Sequence, residues 1–275
     1  INNLNIIWPN GDSVGLFGYN KGQIKNLGVV NITIQGEYRV GGMVGYNYSG
    51  SIISCYVKGS IKGSSRVGGL VGSNYGEISS CYVMASVKGN DVDGDDYVGG
   101  LVGWNNTDGM ADGIITFCYA MGEVNGTGSY VGGLVGCNRS TIQASYAAST
   151  VSGLKCVGGL VGENCGDITS SYATGSVDGS IAVGGLVGVN SYYHKIMYTY
   201  ATGSVNGFSS IGGLVGSNAD NAAITSSYAI GLVTGTSDDI GGLIGNNSGT
   251  AIDCFWDMQT SGQIASGGGV GKTTA

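Results

Sequence analysis

The sequence predicts an all-β fold: a single β-solenoid of about nine coils, with roughly three short strands in each. The first observation behind this is a repeat. The motif Val-Gly-Gly-Leu-Val-Gly-x-Asn starts at Val40, Val67, Val98, Val131, Val157, Val183, Ile211 and Ile240, with a degenerate first copy at Ser13. Successive starts lie 27, 27, 31, 33, 26, 26, 28 and 29 residues apart. Self-similarity at such a period signals a stacked array, in which each unit buries its apolar face only against its neighbours. The second observation is a companion pattern, Ile-x-x-(Ser/Cys)-Tyr, which places Tyr56, Tyr82, Tyr119, Tyr146, Tyr172, Tyr200 and Tyr228 in equivalent positions, with Trp256 in that place in the last unit. The third is negative: no segment carries helical periodicity, and Gly, Ser and Asn turns separate short β-type runs.

Taken in order, residues 1–12 form an opening segment, 13–257 the nine coils and 258–275 a Gly-rich C-terminal tail, all within one repeat array. At about 4.8 Å per layer, nine coils make a rod of roughly 43 Å. Stacking turns the sequence into columns. The asparagines that close each motif, Asn20, Asn47, Asn74, Asn105, Asn138, Asn164, Asn190, Asn218 and Asn247, read as a structural ladder passing amide hydrogen bonds between coils. The Ile column (52, 78, 115, 142, 168, 196, 224, 252) reads as core. So does the column of Ile61, Val87, Val124, Val151, Val177, Val205 and Val233. Two adjacent columns are both apolar, for example Leu70 with Val71 and Leu101 with Val102. Neighbouring strand residues point to opposite faces. Either the Gly-Gly pair bends the chain so that both turn inward, or one face is covered from outside the solenoid.

Composition narrows the function classes. With 11 Lys+Arg against 18 Asp+Glu and a net charge of -7, the chain lacks the basic surface that nucleic acid or an anionic membrane requires. No apolar run is long enough to span a bilayer, so membrane insertion is not expected. The chain opens inside a repeat-like segment without an initiator Met or signal-peptide pattern, which reads as a processed product or a fragment. The seven cysteines form no CxxC pair, and with one histidine no zinc set is expected; they read as small buried side chains in the reduced state.

At the nine Gly-Gly-Leu-Val-Gly-x-Asn cores, the sequence resembles the GLUG-motif repeats of bacterial and archaeal surface proteins. The resemblance runs over residues 13–257 and extends into the tail from Trp256. It implies an extracellular or cell-surface location in a large adhesin-like chain or in the non-catalytic part of an IgA-cleaving metallopeptidase. It supplies no catalytic residues, and no His-Glu-x-x-His occurs in this chain.

Three local features bear on chemistry. Ser266 to Thr273 superficially resembles a phosphate-binding loop but begins with Ser where Gly is needed and has no helix to follow. An acidic insertion places Asp91, Asp93, Asp95 and Asp96 in one loop, a candidate for structural calcium; no other cofactor is expected. The variable column just before each motif runs Asp12, Arg39, Arg66, Tyr97, Tyr130, Cys156, and beside it stand Tyr46, Ser73 and Trp104. Aromatic rings interleaved with Arg suit a glycan contact, with Tyr192-Tyr193-His194-Lys195 as a second cluster. The expectation is therefore a non-catalytic extracellular structural or adhesive solenoid, a stalk or fibre subunit that partners with itself or with flanking domains. The alternatives are a carbohydrate-binding module using Arg39, Arg66, Tyr97, Trp104, Tyr130, Tyr192 and Tyr193, or a polysaccharide-cleaving β-helix enzyme.

Overall fold

A computed structural model describes residues 1–90, 95–191, 193–237 and 239–274, with the side chain of Asp95 outside the description. The chain winds as a β-solenoid whose strands, among the described residues, form three parallel sheets of 14, 16 and 9 strands. The coil that starts at Val67 shows the plan in its simplest form, with strands Ser65–Gly68, Val71–Ser79 and Tyr82–Gly89. Each pairs in register with its copies above and below. Towards the C-terminus the long strands divide. The coil from Val157 has Lys155–Gly158, Val161–Asn164, Asp167–Thr169, Tyr172–Ala173 and Val177–Asp178, the last two separated around Gly175.

The double apolar column is resolved by a bend. Leu70 and Val71 are both fully buried, and both belong to one continuous core. The backbone turns at Gly69–Leu70, and the Leu101 carbonyl accepts from both the Leu70 and Val71 amides (2.9 and 3.0 Å). The same two-to-one pattern recurs at Leu134, Leu160, Leu186, Leu214 and Leu243. The glycine pair is needed here for space. A Cβ on Gly69 would run into the Gly100 carbonyl and the Val83 side chain of neighbouring strands.

Two further corners use left-handed backbone at residues other than glycine. One column is Ser13, Arg39, Arg66, Tyr97, Tyr130, Cys156, Ala182 and Ser210, with φ between 47° and 65°. The other runs from Asn26 through Ser54, Ser80 and Phe117 to Asp253. Each such residue costs about 1–2 kcal/mol, which the pairing on both sides of the corner must offset. The corner residue points its side chain outward, which explains why both columns vary in sequence.

Side-chain ladders run inside and outside this backbone. The asparagine column is an unbroken amide chain. Each Nδ2 from Asn20 to Asn218 donates to the Oδ1 of the next coil at 2.7–2.9 Å. Most rungs also donate to the carbonyl two or three residues on. Seven tyrosines and Phe255 stack with ring centroids 4.7–5.4 Å apart and planes within 9°. A third ladder, not anticipated, uses the buried Cys, Ser or Thr before each tyrosine. The Cys118 amide donates to Ser145 Oγ (3.1 Å), and that hydroxyl donates to the Gln143 carbonyl (2.8 Å). Thiols fill the same role at Cys55 and Cys81.

Three register expectations change. Phe255, not Trp256, pairs with Tyr228 and completes the ring stack, while Trp256 pairs with Ala229 and enters the core. Ala251, not Ile252, lies opposite Ile224; Ile252 is exposed. In the first coil the corner residue is Ser13 rather than Asp12, because Asp12 pairs with Tyr38 and Val14 with Val40. A single residue is missing between Val14 and Phe17 relative to later coils, so alignment from Asn20 slips by one. The Gly-rich tail is folded. Its strand Val270–Lys272 pairs with Phe255–Asp257, after a short helix, Met258–Ser261.

Candidate binding face

Three outward columns meet along one side of the first five coils. They are the left-handed corner, the residue after the last motif Gly, and the residue two further on. In-register pairing aligns Tyr19, Tyr46, Ser73, Trp104 and Cys137. The third column packs against the second one coil earlier. Tyr46 and Tyr75 rings are thus 5.5 Å apart, and the Arg139 guanidinium lies 4.9 Å from the Trp104 ring centroid.

This places Arg39, Arg66, Tyr97, Trp104 and Tyr130 in one cluster. Tyr97 stacks on Tyr130 at 5.0 Å and meets Trp104 edge-on at 4.5 Å. Arg66 is clamped between Trp104 (4.0 Å) and Tyr38 (4.9 Å). Arg39 lies over Tyr38 and Tyr46 and pairs with Asp12 through both carboxylate oxygens. That pairing holds the Asp12 carboxyl below its usual range and raises Arg39. Burial lifts the Tyr46 phenol, aided by the neighbouring tyrosines. Lys21 extends the cluster over Tyr19 and Tyr48.

Trp104 is only 9% exposed, so guanidinium groups occupy the surface where a sugar ring would otherwise stack. Within and beneath this layer, three buried polar atoms have no hydrogen-bond partner: Arg66 Nε, Ser73 Oγ and Trp104 Nε1. Tyr193, 75% exposed, lies three coils beyond Trp104, apart from this cluster, and Tyr192 is outside the described residues. Sequence reasoning passed over Tyr38, Tyr48, Tyr75 and Arg139. The signal was there: the position just before the corner column and the position two after the second column.

The candidate calcium loop falls largely outside the described residues at Asp91 and Asp93, as does the side chain of Asp95. Asp96 is fully buried, and its Oδ2 accepts from the Gly128 amide at 2.6 Å, which makes it a corner cap between coils. Among the described residues no group of three His, Cys, Asp or Glu side chains is placed to hold a metal. A groove of about 450 Å³ between Lys62, Lys88, Asn125 and Ser152 adjoins this insertion.

The family profile of the GLUG motif matches residues 36–62, 63–88 and 153–178, three of the coils described above. Three of its coils therefore match the GLUG motif. A solved structure named "putative immunoglobulin A1 protease" from Bacteroides ovatus is similar, at 25% identity and a TM-score of 0.51 over 66% of this chain. The match covers 58% of that protein's chain. No curated protein matches the sequence. Among the described residues no helix is long and apolar enough to cross a membrane.

Proposed function

We propose that the chain is a non-catalytic, extracellular spacer whose first five coils carry an adhesive face. What supports the spacer role is the continuity of the ladders. Eight amide links and a stack of eight rings run the length of the rod, so bending it must disturb many contacts together. The kinship with a named protease structure fits a part that displays or positions a larger molecule.

The adhesive face is the cluster around Arg66 and Trp104, with cationic and aromatic groups in a chain whose net charge is -7. The three unpartnered polar atoms favour a ligand with hydroxyl or carboxylate oxygens, such as a cell-surface glycan. The test is adhesion of protein-coated beads to glycan arrays and epithelial cells. An Arg66→Ser, Arg139→Ser variant should lose binding at least tenfold while keeping its β-sheet circular dichroism. Unchanged adhesion would remove this face from the proposal, and hydrolysis of a polysaccharide or of immunoglobulin by the purified chain would overturn the non-catalytic reading.

A further inference from the structure

Two classes of cysteine occur in this solenoid. Cys55, Cys81 and Cys118 are rungs of the inner ladder, fully enclosed and bonded to backbone amides and carbonyls. Cys137 and Cys165 belong to the outer columns instead. Cys137 follows Trp104 in the second column, and Cys165 holds the place in the next coil that Arg139 holds relative to Trp104.

That diagonal brings side chains into contact wherever it occurs. It sets Tyr46 against Tyr75 and Trp104 against Arg139, and it puts Ser191 Oγ 3.4 Å from Glu163 Oε1. At the asparagine corner the two coils are held together by the Cys165 amide, which donates to the Asn138 carbonyl at 2.6 Å. We propose that Cys137 and Cys165 are a latent inter-coil disulfide, in which partly exposed Cys165 is the attacking thiol and buried Cys137 resolves.

Their interaction lowers the Cys165 thiol and, with burial, raises that of Cys137, while Arg139 stands beside both. Cys137 also donates to Glu163 Oε2 at 3.6 Å, a carboxylate placed to receive its proton. Cys55 and Cys81 in the inner ladder are both raised, Cys81 to about 12 chiefly by its hydrogen bond to Cys118, with burial adding to it. A thiolate is the attacking species in exchange, so reactivity should be confined to the outer pair.

With a small-molecule disulfide such as glutathione disulfide as oxidant, the steps balance. The Cys165 thiolate attacks one sulfur of the oxidant, forming a mixed disulfide and releasing one glutathione thiolate. Cys137 loses its proton to Glu163 or solvent and attacks the Cys165 sulfur, releasing the second glutathione. Two protein thiols are oxidised and one disulfide is reduced.

The test is intact mass and peptide mapping of the folded chain after incubation with glutathione disulfide and alkylation. The expected result is a chain about 2 Da lighter before alkylation, with Cys137 and Cys165 joined and the ladder cysteines unoxidised. Cys137→Ser should trap glutathione on Cys165, whereas Cys165→Ser should yield neither the adduct nor the cross-link; circular dichroism checks that both variants fold. The proposal is overturned if native oxidation leaves both thiols free, if Cys156 replaces either partner, or if Cys137→Ser carries no glutathione at Cys165.

Discussion

The two ends of this solenoid face the same problem and treat it differently. A β-solenoid leaves unpaired backbone and an uncovered core at each terminal coil. At the C-terminal end, Trp256 plugs the core, and its Nε1 donates to the Gln263 carbonyl at 3.0 Å. Gln263 in turn donates to Val233, Ser266 Oγ accepts from the Leu243 and Ile244 amides, and Asn247 ends the amide ladder on the Gly267 carbonyl. At the N-terminal end, Leu4, Ile6, Leu16 and Ile24 are only partly covered, and Ile7, Trp8, Phe17 and Tyr19 are exposed. Asn20 turns its Oδ1 back onto its own Gly22 amide. The difference teaches that capping here is done by side chains fitted to the ladders, and that head-to-tail stacking of two copies would have to displace the cap.

The largest expected effect breaks the capped end. Trp256→Ala removes the plug and leaves a void beneath Gly242, with a cost of about 3–5 kcal/mol. Because each coil contacts mainly its neighbours, hydrogen exchange should rise from residue 210 onward and remain unchanged before residue 130. Uniform loss of protection along the chain would show that the cap does not act locally.

Next in size is the same substitution made in the middle and at the open end of the amide ladder. Asn138→Ala strands the Asn105 amide and the Asn164 carbonyl oxygen inside the rod, costing about 2–3 kcal/mol. Asn20→Ala strands one acceptor at a rung already 8% exposed, and should cost less than about 1 kcal/mol. Equal losses in urea unfolding would mean that the ladder's worth does not depend on burial.

The ring stack offers a smaller contrast. Tyr172→Phe keeps both neighbours, Tyr146 at 4.8 Å and Tyr200 at 4.7 Å, and should change stability by less than about 0.5 kcal/mol. Tyr172→Ala loses both ring contacts, about 1–3 kcal/mol together. If the two variants melt alike, the stack is a consequence of register and contributes little.

Much of this architecture was legible because repetition exposes geometry. A residue type held constant over eight coils must meet the same neighbours each time, so the Asn ladder and the Val column could be read from columns alone. What stayed hidden was set by backbone conformation rather than residue type. Arg39, Ala182 and Ser54 share left-handed φ without sharing chemistry, so no composition signal marks those corners. The slips at Asp12, Ile252 and Trp256 all fall in terminal coils; the strands of Asp12 and Ile252 pair with one neighbour only, and that of Trp256 pairs on its outer side with the tail rather than another repeat. The binding face was half visible: Arg66 and Trp104 stood out as residues, but their mutual contact depended on a diagonal between coils that the sequence does not display.

The smallest expected effect is in acid, and it separates the ends by mechanism. Asp12 is held below the usual carboxylate range chiefly by its hydrogen bond from Arg39, and Asp257 by bonds from Thr274 and the Thr260 and Gln259 amides. For a carboxylate depressed in the folded state, the stabilisation is complete above the unfolded value of about 3.9 and is lost as pH falls through the folded value. Both ends should therefore loosen below about pH 4, with the exposed Asp12–Arg39 pair accounting for less than about 1 kcal/mol. The charged pair is screened by salt, whereas bonds from neutral hydroxyl and amide donors are not. In a carboxylate titration followed by NMR, 1 M salt should raise the Asp12 midpoint and leave that of Asp257 in place; Arg39→Gln should raise the first and not the second. A common salt shift at both residues would mean that the C-terminal cap is held by the overall field of the rod rather than by its local bonds.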